Sequence, residues 1–227
     1  MLLRPCRAVI FDLDGTLVDT LDDIAASMNA ALAARGYATR TSEEYRSLVG
    51  WGLRALAASV LPPEARDDAT VDGCYADALA AYLERPAAHT RAYPGIPETL
   101  AAIAARGIPC AVLSNKADAV VRLVVDSVLD AGAFRAVRGE RPGIPRKPDP
   151  TAALEVASRL GAEPQEVLYL GDSGVDMRTA RAAGFFAVGA SWGFRDREEL
   201  VRDGAEVVID HPIELIALLD GTRRGTD

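Results

Sequence analysis

The pattern of apolar positions changes twice along the chain and divides it into three stretches. The first apolar run, AVIF at 8–11, is followed at once by the acidic and glycine-containing sequence DLDG. This is the pattern of a short buried strand that leads into a loop. Between about residues 40 and 88 the spacing of apolar residues is helical and predicts no strand. From residue 92 onward, strand and helix patterns alternate.

Helices alone are predicted between the first strand and residue 88. Ile24 and Met28 recur at helical spacing in the first of them, and Asp19 or Thr20 can cap its start. Further along, the proline-containing sequence LPPEARDD divides the helical text into two pieces. We therefore expect a small all-helical domain over residues 17–89, inserted after the first strand.

The rest of the chain is predicted to form a parallel sheet. Asp149 can cap one of its helices, with Pro150 at the first helical position. Alternating strands and helices place helices on both faces of a parallel sheet, so we expect a three-layer α/β/α core formed by residues 1–16 and 90–227. Its later strands are predicted at 108–114, 134–139, 167–172, 185–190 and 206–209.

Polar side chains fall at the carboxyl ends of three predicted strands. Asp12 and Asp14 end the first strand, Ser114 and Asn115 end the second, and Asp172 ends a later one. Ligands of parallel α/β sheets bind at the carboxyl ends of the strands. We therefore expect these side chains to share one site.

The acidic residues of this edge predict a metal site. Asp12 and Asp14 are two positions apart, so both side chains can point to the same face of a strand. Asp172 adds a third carboxylate, and the mutual repulsion favours a divalent cation; ligand sets made of oxygen alone favour Mg²⁺. Asp176 is a candidate ligand through water or a residue that orients the ligands. An interaction with the dipole of its own helix is an equal alternative.

Carboxylates in this arrangement can transfer a phosphoryl group. A carboxylate can attack phosphorus and form an aspartyl-phosphate, and Asp12 is the predicted nucleophile. Asp14 is the predicted general acid for the leaving oxygen and the general base for the water that follows. Lys147 and Ser114 are predicted to hold the phosphoryl oxygens, where charge must be stabilised.

Other residues are candidates for contact with the substrate. Asn115 is one, whereas its neighbour Lys116 is expected to be exposed. Within the helical segment, the glycines of VGWGLRAL indicate a loop or a bent helix start. If this stretch covers the site, Gly50 and Arg54 are predicted to contact the substrate, Arg54 through a second anionic group. A surface position for Arg54 is an equal alternative.

Four motifs in order, FDLDGTLVDT, LSNK, RKPDP and GDSGVDM, resemble those of the haloacid dehalogenase-like hydrolase superfamily. Within it the sequence is similar to phosphoglycolate phosphatases and their relatives. The resemblance implies a Rossmann-like core, a mobile helical cap domain and Mg²⁺. It also implies that Asp12, the backbone carbonyl of Asp14 and Asp172 bind the metal, and it agrees with the catalytic roles given above.

The expected activity is hydrolysis of a phosphate monoester of a small metabolite. Phosphoglycolate is the leading candidate, followed by nucleotides and sugar phosphates. Dehalogenase relatives lack an aspartate equivalent to Asp14, and phosphonatase relatives use a cap lysine, which the segment 40–88 does not contain. A phosphosugar mutase of the β-phosphoglucomutase type stays open, because such enzymes keep both aspartates. A catalytically inactive binding protein is a third hypothesis, since a fold alone does not prove activity.

Composition and net charge limit the classes of partner that we expect. The formal net charge is -8 and no block rich in Lys or Arg is present, which argues against nucleic-acid binding. No apolar run approaches the roughly 18 residues of a membrane span, and charged residues come too early for a leader peptide. We expect a cytoplasmic monomer or homodimer whose partner is a small-molecule phosphate, with no membrane or nucleic-acid partner.

Overall fold

The computed structural model describes residues 6–223; residues 1–5, part of the stretch used to argue against a leader peptide, lie outside that range. Its strands are β1 (Ala8–Phe11), β2 (Val18–Asp19), β3 (Arg91–Ala92), β4 (Cys110–Ala117), β5 (Phe134–Glu140), β6 (Val167–Gly171), β7 (Phe186–Ala190) and β8 (Val207–Ile209). Its helices are α1 (Leu21–Ala34), α2 (Ser42–Arg46), α3 (Leu53–Val60), α4 (Asp68–Glu84), α5 (Ile96–Ala105), α6 (Asp118–Val128), α7 (Thr151–Leu160), α8 (Gly174–Ala183), α9 (Arg197–Asp203) and α10 (Glu214–Arg223). None of these helices combines the length and the apolar character that crossing a bilayer requires.

A parallel sheet of six strands, in the order β5-β4-β1-β6-β7-β8, forms the centre of the molecule. Strand β1 lies between β4 and β6, and Val9 is opposite Cys110 on one side and Leu168 on the other. The predicted parallel sheet is confirmed. Its order places the carboxyl ends of three strands that carry polar residues next to one another, at the edge where such sheets bind ligands.

Both faces of the sheet are covered, which confirms the three-layer arrangement. Side chains alternate along β1: Ala8 and Ile10 belong to a buried cluster with α7 and α8. Val9 and Phe11 belong to a second cluster that includes α5, α6 and α10. All four are fully buried, and burial of each large apolar side chain contributes about 1.5–3 kcal/mol to stability. This burial on both faces explains why the strand is apolar throughout rather than alternating.

Helices α1 to α4 lie between residues 21 and 84, where helical spacing was predicted. Helix α4 packs against α1 and α3. A two-stranded antiparallel ribbon, in which β2 pairs with β3, joins the two places where the chain leaves and re-enters the sheet domain. Strands of two residues carry no periodic pattern, so the sequence did not predict them. The ribbon lies beside both ends of the segment 17–89, and those domain boundaries stay a prediction.

Helix α7 begins one residue later than predicted. Pro150 occupies the N-cap position and not the first helical position. The Asp149 carboxylate is therefore not the N-cap, although it accepts a hydrogen bond of 2.9 Å from the backbone N–H of Thr151. This local i to i+2 bond is typical of aspartate in a turn.

Candidate active site

The carboxyl edge of the sheet brings the predicted residues together. Asp12 directly follows β1, Asp172 directly follows β6, and Ser114 and Asn115 lie in β4. Each of the four is buried. Together with Asp14 they line one cleft of about 680 Å³, part of which is open to solvent. The site predicted from the strand ends is therefore present as one cavity.

Lys147 is the centre of the charged network. Its Nζ lies 2.9 Å from Asp12 Oδ1 and 2.7 Å from Asp176 Oδ1. It also donates hydrogen bonds to the carbonyl of Leu113 and to the hydroxyl of Tyr169, both at 3.1 Å. Burial by itself lowers the pKa of this ammonium, but the two carboxylates raise the pKa further, well above its usual value. Lys147 therefore stays charged and fixes Asp12.

Asp176 is held through both of its carboxylate oxygens. Oδ1 accepts from Lys147, and Oδ2 accepts from the backbone N–H and the hydroxyl of Ser173. Ser173 in turn caps α8 by accepting from the N–H of Asp176, which completes a capping box. These contacts support the orienting alternative for Asp176. A role as metal ligand stays a prediction.

Three buried carboxylates are close enough to hold a metal ion. One oxygen from each of Asp12, Asp172 and Asp176 lies within 4.8 Å of the others. When all three are ionised, their negative charge exceeds the positive charge of the neighbouring Lys147 ammonium. Among the described residues, Asp12 Oδ1 has no hydrogen bond of good geometry, although the ammonium is near. The charge excess and the all-oxygen donor set fit a divalent cation.

The pKa values of the carboxylates reflect the same excess of negative charge. Burial raises the pKa of Asp12 well above its usual range, and the neighbouring Asp176 raises the pKa further. For Asp172, burial and then Asp176 raise the pKa to about 7. This happens although Asp172 accepts hydrogen bonds from the N–H of Phe194 and the hydroxyl of Thr16. A bound cation would lower both pKa values by direct attraction.

Two glycines bring backbone into contact with Asp172. Gly15 has φ +83°, and a Cβ atom added there would lie 2.2 Å from Asp172 Oδ2. At Gly193 an added Cβ atom would lie 2.2 Å from Asp172 Cβ. The glycine of FDLDGT is therefore required both for its backbone conformation and for the close approach of this loop.

Asp14 is paired with Lys116, which was expected to be exposed. That expectation is wrong: the side chain is 9% exposed, and its Nζ lies 2.8 Å from Asp14 Oδ1. Thr20 also donates to Asp14, at 2.6 Å, and makes no hydrogen bond that caps α1. On its other side the Lys116 ammonium lies 4.4 Å from the centre of the Tyr82 ring. The helical segment, through α4, covers the end of β4 and removes Lys116 from solvent.

Asn115 links the strand end to two other segments. Its Oδ1 accepts from the N–H of Lys147, and its Nδ2 donates to the carbonyls of Lys147 and Gly50. The structure thus brings Gly50 to the cleft, which it also lines. The amide of Asn115 is engaged with backbone, so its predicted contact with substrate stays a prediction.

The loop around Gly50 is fastened by two arginines that sequence reasoning did not single out. Arg195 donates to the backbone carbonyls of residues 46, 47 and 49. Arg146 donates to the carbonyl of Trp51 at 3.0 Å. Carbonyl acceptors leave no trace in the sequence, and the two arginines lie far along the chain. We call residues 46–51 the carbonyl strip.

Arg54 is not brought to the cleft. Its guanidinium donates to Asp72 at 2.6 Å and to Asp68 at 2.8 Å, and 42% of the side chain is exposed. Both acids lie in the next helix, α4. This arrangement matches the surface alternative, and the predicted contact of Arg54 with a substrate stays a prediction that the structure does not support.

Comparison with known proteins shows the family to which the chain belongs. The family described as "Haloacid dehalogenase-like hydrolase" matches residues 9–190. The phosphoglycolate phosphatase of Aquifex aeolicus is 32% identical, over 94% of this chain and 97% of the relative. The N-acetylmuramic acid 6-phosphate phosphatase of Pseudomonas aeruginosa is 34% identical, over 94% and 95%. A crystal structure from Lactobacillus delbrueckii subsp. bulgaricus is 28% identical and covers 95% of this chain and 98% of its own, with a TM-score of 0.87.

Proposed function

The chain belongs to the haloacid dehalogenase-like hydrolase family and is a phosphatase, and on that basis we propose how it acts. The proposed reaction is hydrolysis of the phosphate monoester of a small metabolite, with Mg²⁺ as cofactor and Asp12 as nucleophile. The observation that carries the proposal is the buried ion pair of Asp12 with Lys147, next to Asp172, at the floor of a cleft.

The first step transfers the phosphoryl group to the protein. An oxygen of Asp12 attacks phosphorus, and the bond from phosphorus to the ester oxygen breaks. Asp14 donates its proton to that ester oxygen, so that the product leaves as an alcohol. Asp12, Asp172 and the backbone carbonyl of Asp14 would hold Mg²⁺, which would supply positive charge that offsets repulsion between the carboxylate and the phosphate.

The second step releases inorganic phosphate. Asp14, now ionised, accepts a proton from the water that attacks phosphorus. The bond from phosphorus to Asp12 breaks, and the carboxylate is restored. Lys147 and Ser114 stabilise the phosphoryl oxygens in both steps, as hydrogen-bond donors placed beside the nucleophile. The fixed position of Lys147 supports this role, because its ammonium already lies against Asp12.

Phosphoglycolate is the leading substrate in this proposal. The names of several relatives support it, whereas another relative is named for N-acetylmuramic acid 6-phosphate. The same proposal includes a cytoplasmic location and a monomer or homodimer without a membrane or nucleic-acid partner.

A panel of phosphorylated metabolites tests the proposal. Wild-type protein with Mg²⁺ is expected to release phosphate from at least one small substrate, and Asp12→Asn is expected to lose at least about 10³-fold in kcat because the nucleophile is gone. Asp22→Asn, a change at an exposed position of α1, serves as the matched control and is expected to keep wild-type activity. Full activity of Asp12→Asn would refute the assignment, as would a product that retains its phosphate in phosphorus NMR.

A further inference from the structure

One buried cation of the cleft has no part in the steps above. Within residues 6–223, the positively charged side chains that line the cleft are those of Lys116 and Arg195. Arg195 is occupied by three backbone carbonyls and lies 3.6 Å from Glu199. Lys116 forms an ion pair with one acidic residue, Asp14, and it lines the cavity. With Lys147 assigned to the phosphoryl group, Lys116 is thus the cation that a second anionic group of a substrate can reach.

A second polar group lies beside this ammonium. Tyr82, from α4, is 3% exposed and lines the same cleft. The Lys116 ammonium lies against its hydroxyl, but within the described part of the chain the hydroxyl proton has no acceptor of good geometry. Burial raises the pKa of Tyr82, so the phenol keeps its proton and remains a donor. A buried donor without an acceptor costs free energy unless a ligand supplies one.

The position of Lys116 relative to Asp14 defines which group it can bind. The ester oxygen must lie about 2.6–3.2 Å from the Asp14 carboxyl that protonates it, and the ammonium lies 2.8 Å from that carboxyl. In a phosphate ester whose ester carbon carries a carboxylate, the carboxylate oxygens lie roughly 3 Å from the ester oxygen, as bond lengths require. Such a carboxylate can therefore come within hydrogen-bonding distance of the ammonium.

We propose that Lys116 and Tyr82 form a carboxylate subsite that selects phosphate esters with a carboxylate on the carbon attached to the ester oxygen. This inference rests on the proposed function, since it assumes that Asp14 protonates the ester oxygen. The substrate carboxylate takes the place of Asp14 on the ammonium and accepts from the Tyr82 hydroxyl. Asp14 is then released toward the ester oxygen at the moment when a suitable substrate is bound.

The other walls of the cleft support a small substrate. Seven lining residues are aliphatic, and their side chains offer no hydrogen bonds to a sugar or a base. A polar substrate larger than the two-residue subsite would leave its hydroxyls unpaired against these walls. The seven are Ile24, Val49, Leu53, Leu56, Leu79, Ala117 and Val120.

Two substrates that differ only in the anionic group test the subsite. 2-Phosphoglycolate carries the carboxylate, and 2-hydroxyethyl phosphate carries a neutral hydroxymethyl group at the same carbon. Lys116→Met is expected to lower the ratio of kcat/KM for the first substrate over the second by at least about 10-fold, and Tyr82→Phe by about 3-fold to 10-fold, because a hydrogen bond to a charged group is lost. Lys116→Arg is expected to restore most of the ratio.

Tyr75→Phe is the matched control, because Tyr75 lies on the same helix but lines a different pocket; its ratio should equal that of wild type. Equal losses on both substrates would overturn the subsite and leave Lys116 as a residue that only positions Asp14. A wild-type enzyme with no preference for phosphoglycolate would overturn it too, while Asp12-dependent hydrolysis of another ester would leave the proposed function intact. No Asp12-dependent hydrolysis of any ester would instead refute the proposed function. Tyr82→Phe keeps the test valid if Lys116→Met is unstable.

Discussion

Two ammonium groups carry positive charge around the proposed nucleophile and the proposed acid, and each is paired with carboxylates. Lys147 is bound to Asp12 and Asp176, and Lys116 is bound to Asp14. Removing one partner of a buried ion pair costs more than the pair contributes, because the other charge remains buried without compensation. Each of these residues therefore affects stability as well as chemistry, and variants need a folding control.

Asp176→Asn tests whether Asp176 orients Lys147. The variant leaves the ammonium with one carboxylate instead of two, so we expect a loss of about 1–3 kcal/mol in the free energy of unfolding and a fall in kcat of roughly 10-fold or more. Urea unfolding and steady-state kinetics measure the two effects. Asp77→Asn is the control, because Asp77 forms an exposed pair with Arg35 that contributes at most about 1 kcal/mol. Unchanged kcat in Asp176→Asn would contradict the orienting role.

For single residues, the sequence predicts which strand-ending residues belong to the site. It does not predict the site residues that come from other segments of the chain. Asp12, Ser114 and Asp172 directly follow or end apolar runs, so their shared location follows from the sheet edge. Tyr82 and Arg195 reach the cleft through the packing of separate segments, which no local pattern encodes. For the same reason Lys116 was expected to be exposed.

At the scale of elements, the carbonyl strip, residues 46–51, is a contact between the helical segment and the cleft. It connects the helical segment to the sheet domain through Arg195, Arg146 and Asn115. Asn115 also holds the backbone of Lys147. The amide of Asn115 thus contacts both the carbonyl strip and the backbone of Lys147.

Arg195→Met is expected to loosen the carbonyl strip. Loss of donors to three carbonyls should raise amide hydrogen exchange across residues 46–52 and raise KM about 3-fold to 10-fold, because closure over the substrate becomes less favourable. Exchange measured by mass spectrometry and steady-state kinetics check this. Arg197→Met, which removes an exposed pair with Asp210, is the control. Wild-type exchange in the strip of Arg195→Met would show that the arginine does not hold it.

Elements were predictable where a pattern of sufficient length exists. This condition is met by the apolar runs of β1 and β6 and by the amphipathic helices between the strands. The parallel sheet could therefore be predicted from the sequence. The ribbon of β2 and β3 consists of residues 18–19 and 91–92, too short for a period to be recognised. The start of α7 shifted by one residue because turn and cap use the same residue types.

For the whole molecule, negative charge is the dominant electrostatic property. The net charge of -8 repels phosphate at long range, and the cleft itself holds an excess of carboxylates. The positive charge of a bound cation is therefore needed locally, and cation binding should contribute to global stability.

The stability of the protein should depend on pH and Mg²⁺ together. The pKa of Asp172 rises from 3.8 to about 7 on folding, so between these pH values the folded state holds a proton that the unfolded chain has lost. Without Mg²⁺, the contribution of this group to the free energy of unfolding therefore falls as pH rises from about 4 to 7 and is then constant. Mg²⁺ must displace that proton below pH 7, so its apparent affinity should fall by roughly one to two orders of magnitude between pH 7 and 5.

Melting temperatures at pH 5 and pH 8, with Mg²⁺ or with a chelator, measure this linkage. The increase caused by Mg²⁺ is expected to be larger at pH 8. Asp172→Asn removes the titrating group and should show a small increase at both pH values. An equal increase at pH 5 and pH 8 in wild type would contradict a cation site at Asp172.

Lys116 and Lys147 are the only lysines among the 227 residues, and the other basic side chains are arginine and two histidines. Reductive methylation with isotopically labelled formaldehyde would therefore place reporters on the amino terminus and inside the catalytic pocket, and nowhere else. Because both lysines are shielded from solvent, the rate at which each acquires its label would record how often the pocket opens. Because the chain has only two lysines, the labels would report spectroscopically on the cleft of this enzyme without any mutation.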